Sequence, residues 1–254
     1  MKLAVCGDSW ASIDNNDPSS SFSEILCKDH GWDLYNLARP GASNFAICLQ
    51  IDQAVKLDAD FVIISTTTPG RIEVPLKGKT YVKELIGKNI HYPDTRQPAI
   101  SDIGKEMMKD PTIAVDVLGN FETIWNEDYK KVLPETFLDT LKSYVVDMFD
   151  QNIKLQYDTW IMSDACRRLL DKKVPFLIII DYLYNGYSVG DPYHDFEVDL
   201  NWIPAKYLIH YDDFAWHRET VVDNKHYYHY SSSSAQKIAD YIFARINKVK
   251  ELSA

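Results

Sequence analysis

Apolar residues along the chain follow two rhythms, one of strands and one of helices. Lys2 to Cys6 is a short apolar run that stops at Gly7-Asp8-Ser9, which suits a buried strand feeding a tight turn. Ser21 and Glu24 have the spacing of a capping box and Ile25-Leu26 follow, so a helix is expected to start there. Trp32 to Leu37 reads as a second strand, and Arg39-Pro40-Gly41-Ala42 as a turn. From Asn44 to Lys56 the apolar residues Phe45, Ile47, Cys48, Ile51, Ala54 and Val55 recur with a helical period. Phe61-Val62-Ile63-Ile64 is unbroken, the pattern of a strand covered on both faces. Strand, helix, strand, helix, strand at this spacing predicts right-handed crossovers and a parallel sheet.

The middle of the chain is less regular. Pro75, Pro93, Pro98 and Pro111 interrupt residues 72 to about 130, and no helix or strand is assigned there. Pro134 to Lys173 reads as one or two amphipathic helices, with Phe137, Leu141, Val145, Met148, Trp160, Ile161, Ala165 and Leu169 on their apolar faces. Val174 to Ile180 is the strongest strand signal. Residues 181 to 222 are aromatic, polar and mostly irregular. Ser231 to Val249 is the closing helix, with Ile238, Ala239, Ile242, Phe243 and Ile246 on one face.

Composition narrows the classes. At 254 residues, 46% hydrophobic and 25% charged, the chain has enough apolar surface for a full core, which excludes disorder or a coiled-coil rod as the whole answer. There is no linker rich in Gly or Ser, so the expectation is a single domain over residues 1–254 with an insertion or lid at about 76–135. The net charge is −10, and the densest basic groups are only Arg167-Arg168 and Lys172-Lys173, so no nucleic-acid partner is expected. No apolar run reaches the length of a membrane span, and the opening run is too short for a signal peptide; a cytoplasmic protein is expected. Cys6, Cys27, Cys48 and Cys166 form no CxxC pair and read as small hydrophobes rather than a disulfide framework. The oligomeric state is not legible.

Candidate chemistry gathers at the strand ends. Ser9 follows the first strand and therefore stands at the carboxyl edge of the sheet, where open α/β sheets place their ligands. The second strand leads to Gly41-Ala42-Ser43-Asn44, a glycine followed by a helix start, which suits a backbone approach to a ligand and favours negative charge. The third ends in Ser65-Thr66-Thr67-Thr68-Pro69-Gly70-Arg71. Near the C-terminus, Asp223, His226 and His229 precede the last helix and read as an acid–base element. Either histidine alone reads as a surface residue. A metal site built on them has no Cys or Glu ligand nearby, so none is expected.

In these residues the chain resembles the SGNH, or GDSL-like, hydrolases. Gly7-Asp8-Ser9 matches the first block of that family, Asn36 to Gly41 with Asn44 resembles the second, and Ser231 to Ile242 resembles its last helix. The resemblance covers roughly the first 70 and last 30 residues and the strand at 174–180. It implies an α/β fold, a three-layer α/β/α sandwich of flavodoxin-like SGNH type around a five-stranded parallel sheet, here with a partly helical insertion. It implies that Ser9 is the nucleophile of an ester hydrolase, that Gly41 lends its N–H to the oxyanion hole, and that His229 is the base. No cofactor is implied. The substrate expected is a small acyl or carbohydrate O-acetyl ester, the aromatic segment 182–216 lining a sugar-like pocket.

Two positions depart from the family pattern. The third block, Gly-x-Asn-Asp, is replaced by Thr66-Thr67-Thr68-Pro69, so its Asn donor is missing, and Thr68 or Asn44 stands as the alternative donor. Arg71 is the nearby candidate for substrate binding. Three residues before His229 stands His226 rather than an acid, whereas Asp223 has that spacing to His226. Either His226 is the base with Asp223 behind it, or His229 is the base with another partner or in a Ser–His dyad; the register of the last helix favours His229. The alternative to hydrolysis is a catalytically lapsed SGNH fold that binds a ligand, as a phage or bacterial accessory protein, or an assembly module using the 76–135 insertion.

Overall fold

The computed structural model describes residues 1–8, 10–13, 21–39, 42–67, 69–75, 112–116, 135–180, 203–210 and 232–251. Five strands form one parallel sheet: β1 (Lys2–Cys6), β2 (Asp33–Asn36), β3 (Phe61–Ser65), β6 (Phe176–Ile180) and β7 (Leu208–His210), in the order β2-β1-β3-β6-β7. Two more, β4 (Arg71–Pro75) and β5 (Thr112–Asp116), pair antiparallel as a separate ribbon in the register Arg71↔Asp116 to Pro75↔Thr112. The helices are α1 (Phe22–His30), α2 (Asn44–Lys56), α3 (Glu135–Asp147), α4 (Gln151–Asp171) and α5 (Ser232–Glu251).

The order of the sheet explains its layers. β2 and β3 lie on opposite sides of β1, so right-handed crossovers put α1 and α2 on opposite faces. α1 packs with α5, and α2 packs with α4, which makes three layers. Every residue of β3 and β6 is buried, as their unbroken apolar runs predict for strands covered on both faces. His30 of α1 stacks on Phe243 of α5, with ring centroids 3.7 Å apart.

Several expectations shift in detail. The α3–α4 stretch is two helices, because the Asp150 carboxylate accepts from the Ile153 N–H at 3.0 Å and caps a new start. Ser21 does precede α1, but it makes no side-chain cap. Its hydroxyl lies 2.9 Å from Ser23 Oγ, which also accepts from Asn36. Trp160 and Met148, expected on apolar faces, are 58% and 73% exposed. Ala165 and Leu169 are buried as expected, and the buried face of α4 also takes in Leu155, Thr159, Met162 and Cys166. The stretch without assigned elements contains β4 and β5, and within 76–135 the described residues are the strand β5 and Glu135, the first residue of α3. The fifth strand of the sheet, β7, comes from the segment expected to be irregular. Tyr207 beside it is buried and stacked on Phe176 at 4.8 Å, in the core rather than on a pocket wall. All four cysteines are free and buried. No helix among the described residues is long and apolar enough to cross a membrane.

Candidate active site

β1 is where the strand order reverses, and its carboxyl end is the topological switch point of the sheet. Gly7 sits there under tight constraint. A Cβ on it would lie 2.7 Å from Ala11 Cβ and 2.9 Å from Ser65 Cβ, so the position takes only glycine without movement. The side chain of Gln50, buried in α2, satisfies both backbone groups of Gly7. Its Oε1 accepts from the Gly7 N–H at 2.7 Å, and its Nε2 donates to the Gly7 carbonyl at 3.2 Å. The next turn closes through the Asp8 carbonyl, which accepts from the N–H groups of Ala11 (3.2 Å) and Ser12 (3.0 Å).

The Asp8 side chain, 1% exposed, organises the same turn. Its Oδ1 accepts from the Trp10 N–H at 3.0 Å, and its Oδ2 accepts from Thr67 Oγ1 at 2.9 Å and Arg71 Nη1 at 2.5 Å. The buried carboxylate is thus paired with a cation and hydrogen-bonded, as burial of a charge requires. Ser9 belongs to this turn by sequence, between Asp8 and Trp10, but lies outside the described residues, as do Gly41, Thr68, Asp223, His226 and His229. What the described residues bring together is the frame around the first-block position.

That frame includes the second block. Asn36 Nδ2 donates to the Ala11 carbonyl (2.9 Å) and to Ser23 Oγ (3.1 Å), and Asn36 Oδ1 accepts from the Ala38 N–H (3.0 Å). The end of β2 is thereby tied to the turn after β1. Arg39 N–H donates to the Gly7 carbonyl at 3.0 Å, and Ala42 N–H donates to the Arg39 carbonyl at 3.1 Å. Ser43 caps α2, its hydroxyl accepting from the Ala46 N–H.

Asn44 and Arg71 are both inside this frame. Asn44 is 1% exposed; its Nδ2 donates to the Thr67 carbonyl (2.8 Å) and to Asp158 Oδ2 (3.0 Å), and its Oδ1 accepts from the Thr67 N–H (2.9 Å). Those bonds engage both of its amide hydrogens. Arg71, besides Asp8, approaches the Ala42 carbonyl at 3.5 Å. Burial pushes the Asp158 carboxyl above the ordinary aspartate range, against the pull of the neighbouring Lys154 ammonium and the Asn44 amide. Gln50, Thr67, Lys154 and Asp158 match no family motif in the sequence. Their signal is a polar residue at a buried helical position: Gln50 beside Ile47 and Ile51, Asp158 between Leu155 and Met162. Among the described residues, no cluster of three His, Cys, Asp or Glu side chains is placed to hold a metal.

No protein-family profile matches the sequence, and no curated protein does. Solved structures do match. A psychrotrophic esterase from Pseudoalteromonas sp., in a structure inhibited by monoethylphosphonate, aligns over 97% of each chain at 8% identity with a TM-score of 0.51. The chain shares the fold of that esterase, an α/β fold around a five-stranded parallel sheet. A lipolytic protein of the G-D-S-L family from Desulfitobacterium hafniense DCB-2 aligns over 96% of this chain and 98% of its own, at 12% identity and a TM-score of 0.48. At these identities the likeness is one of fold, five parallel strands between helical layers, and Gly7-Asp8 stands at the carboxyl end of β1.

Proposed function

We propose that the chain is a serine ester hydrolase acting on a small acyl or carbohydrate O-acetyl ester. Ser9 attacks the acyl carbon and His229 takes its proton. The N–H groups of Ser9 and Gly41 receive the oxyanion, and leaving-group protonation by His229 completes acylation. Water then repeats the sequence on the acyl-enzyme. Asp223 and His226 stand behind this assignment as the alternative acid–base pair. The observation that carries the reading is the build of the turn after β1. Gly7 admits no side chain, Gln50 holds both its backbone groups, and the buried Asp8 accepts from the N–H of Trp10, the residue after Ser9, and from the Thr67 hydroxyl. A turn pinned this way on an esterase-like fold is what a nucleophile needs for a fixed line of attack.

One observation favours the lapsed, ligand-binding reading. The third-block Asn is absent, and Asn44, the amide expected to stand in for it, is bonded to Thr67 and Asp158. Loss of one oxyanion donor typically costs about 10²–10³ in rate, which slows a hydrolase without abolishing it. The test is turnover of p-nitrophenyl acetate and of an O-acetylated oligosaccharide by the full chain, beside Ser9→Ala. Turnover that disappears in Ser9→Ala supports the hydrolase. Absence of turnover on both substrates, or equal turnover in Ser9→Ala, supports the lapsed reading.

A further inference from the structure

A chain of buried polar contacts leads from the turn after β1 to the flanking helix α4. Thr67 Oγ1 donates to Asp8, Asn44 brackets the Thr67 backbone, Asp158 accepts from Asn44, and Lys154 donates to the other oxygen of Asp158. Its logic starts at the end of β3. The last β3–β6 pair is Ser65↔Ile179, and Thr66 N–H still reaches the Ile179 carbonyl at 3.0 Å. Thr67 lies beyond the ladder, yet it is fully buried, and buried backbone groups need partners. Asn44 supplies both, donating to the carbonyl and accepting from the N–H, as a neighbouring strand would.

An amide side chain can swing, so this mimicry depends on what holds it. Asp158 does that from α4. It is 1% exposed on the apolar face of the helix, where a carboxylate is costly to bury. Among the described residues, the charged and titratable groups facing it are Lys154 on its own helix and Cys48 on α2; the Asp52–Arg168 pair clips α2 to α4 further along.

We infer that Asp158 is a positioning residue: through Asn44 and Thr67 it fixes the end of β3 against the Asp8–Trp10 turn. Its consequence for turnover rests on the hydrolase reading above; its consequence for the strand end does not.

The test compares full-length wild type, Asp158→Ala and the double variant Asp158→Asn with Lys154→Met. In the double variant the lysine no longer competes, so the new amide carbonyl is free to accept from Asn44. Hydrogen exchange at the Thr67 amide is expected to speed up about tenfold or more in Asp158→Ala, with β6 and α1 unchanged, and to return close to wild type in the double variant. With p-nitrophenyl acetate, kcat is expected to fall roughly tenfold in Asp158→Ala with KM within about twofold, and to recover in the double variant. A general structural role would lower the melting temperature while leaving the Thr67 amide and kcat per folded molecule alone. Should Asp158→Ala not fold, Asp158→Asn alone keeps the volume and carries the same expectations, because Lys154 claims its carbonyl and its NH₂ then faces the Asn44 NH₂. Unchanged Thr67 exchange overturns the inference, and so does unchanged kcat beside an opened strand end. A wild type without turnover removes the hydrolase reading instead, and Thr67 exchange then decides the brace.

Discussion

Arg71, the first residue of β4, donates to the buried carboxylate of Asp8, the residue immediately before Ser9, at 2.5 Å. The pair ties the ribbon that opens the long middle segment to the turn after β1. Among the described residues, two bonds from neutral donors, the Thr67 hydroxyl and the Trp10 N–H, join Arg71 on Asp8.

Removing the cation should therefore be costly. Arg71→Met leaves a carboxylate that is 1% exposed without its counter-charge, a change that costs about 3 kcal/mol, the low end for a buried pair because the Arg71 side chain is 17% exposed. Adding Asp8→Asn should recover part of that loss. Urea unfolding of the two single variants and the double measures it. A cost for Arg71→Met below about 1 kcal/mol, the level of a surface pair, contradicts the assignment.

Gly7→Ala should destabilise through overpacking, since its Cβ meets Ala11 and Ser65 at under 3 Å. The expected cost is about 1–3 kcal/mol, read as a fall of several degrees in Tm. A Tm equal to wild type would mean that the turn has room the structure does not show.

The cysteines should be silent in the folded protein. Burial pushes the thiols of Cys27 and Cys48 up to about 12 and raises Cys6 and Cys166 as well, which starves reagents of thiolate. With DTNB at pH 8, native protein should release almost no colour, and protein in guanidinium chloride should titrate all four thiols. Fast reaction of a native thiol would contradict its burial.

Much of the architecture was legible because it is local. The runs at 2–6, 61–64 and 174–180 and the helical period at 44–56 each report their own burial, and the sheet follows from their spacing. What was not legible depends on meetings between distant segments. Arg71 faces Asp116 across the β4–β5 ribbon, and proline-broken sequence gives no sign of that register. Asn44 had the composition of an oxyanion donor, but its bonds to Thr67 and Asp158 depend on α4, over a hundred residues on. Trp160 fits a helical apolar stripe by spacing, yet the buried face of α4 carries Met162 and Cys166, and α2 packs against this helix.

Ser9 and His229, if they act as one unit, should be strongly non-additive. Ser9→Ala and His229→Ala should each lower kcat on the order of 10⁴-fold or more, and the double variant should be little worse. Steady-state kinetics on p-nitrophenyl acetate checks this. A mild His229→Ala beside a severe His226→Ala would move the base to His226 with Asp223 behind it.

The central claim is that Ser9 is an activated nucleophile, and reaction with a fluorophosphonate probe tests it most directly. The folded chain is incubated with the probe, and the adduct is located by peptide mass spectrometry. The account predicts one adduct, on Ser9, that is lost on prior denaturation and in His229→Ala. No adduct on the folded protein, or an adduct on a residue other than Ser9, would contradict it.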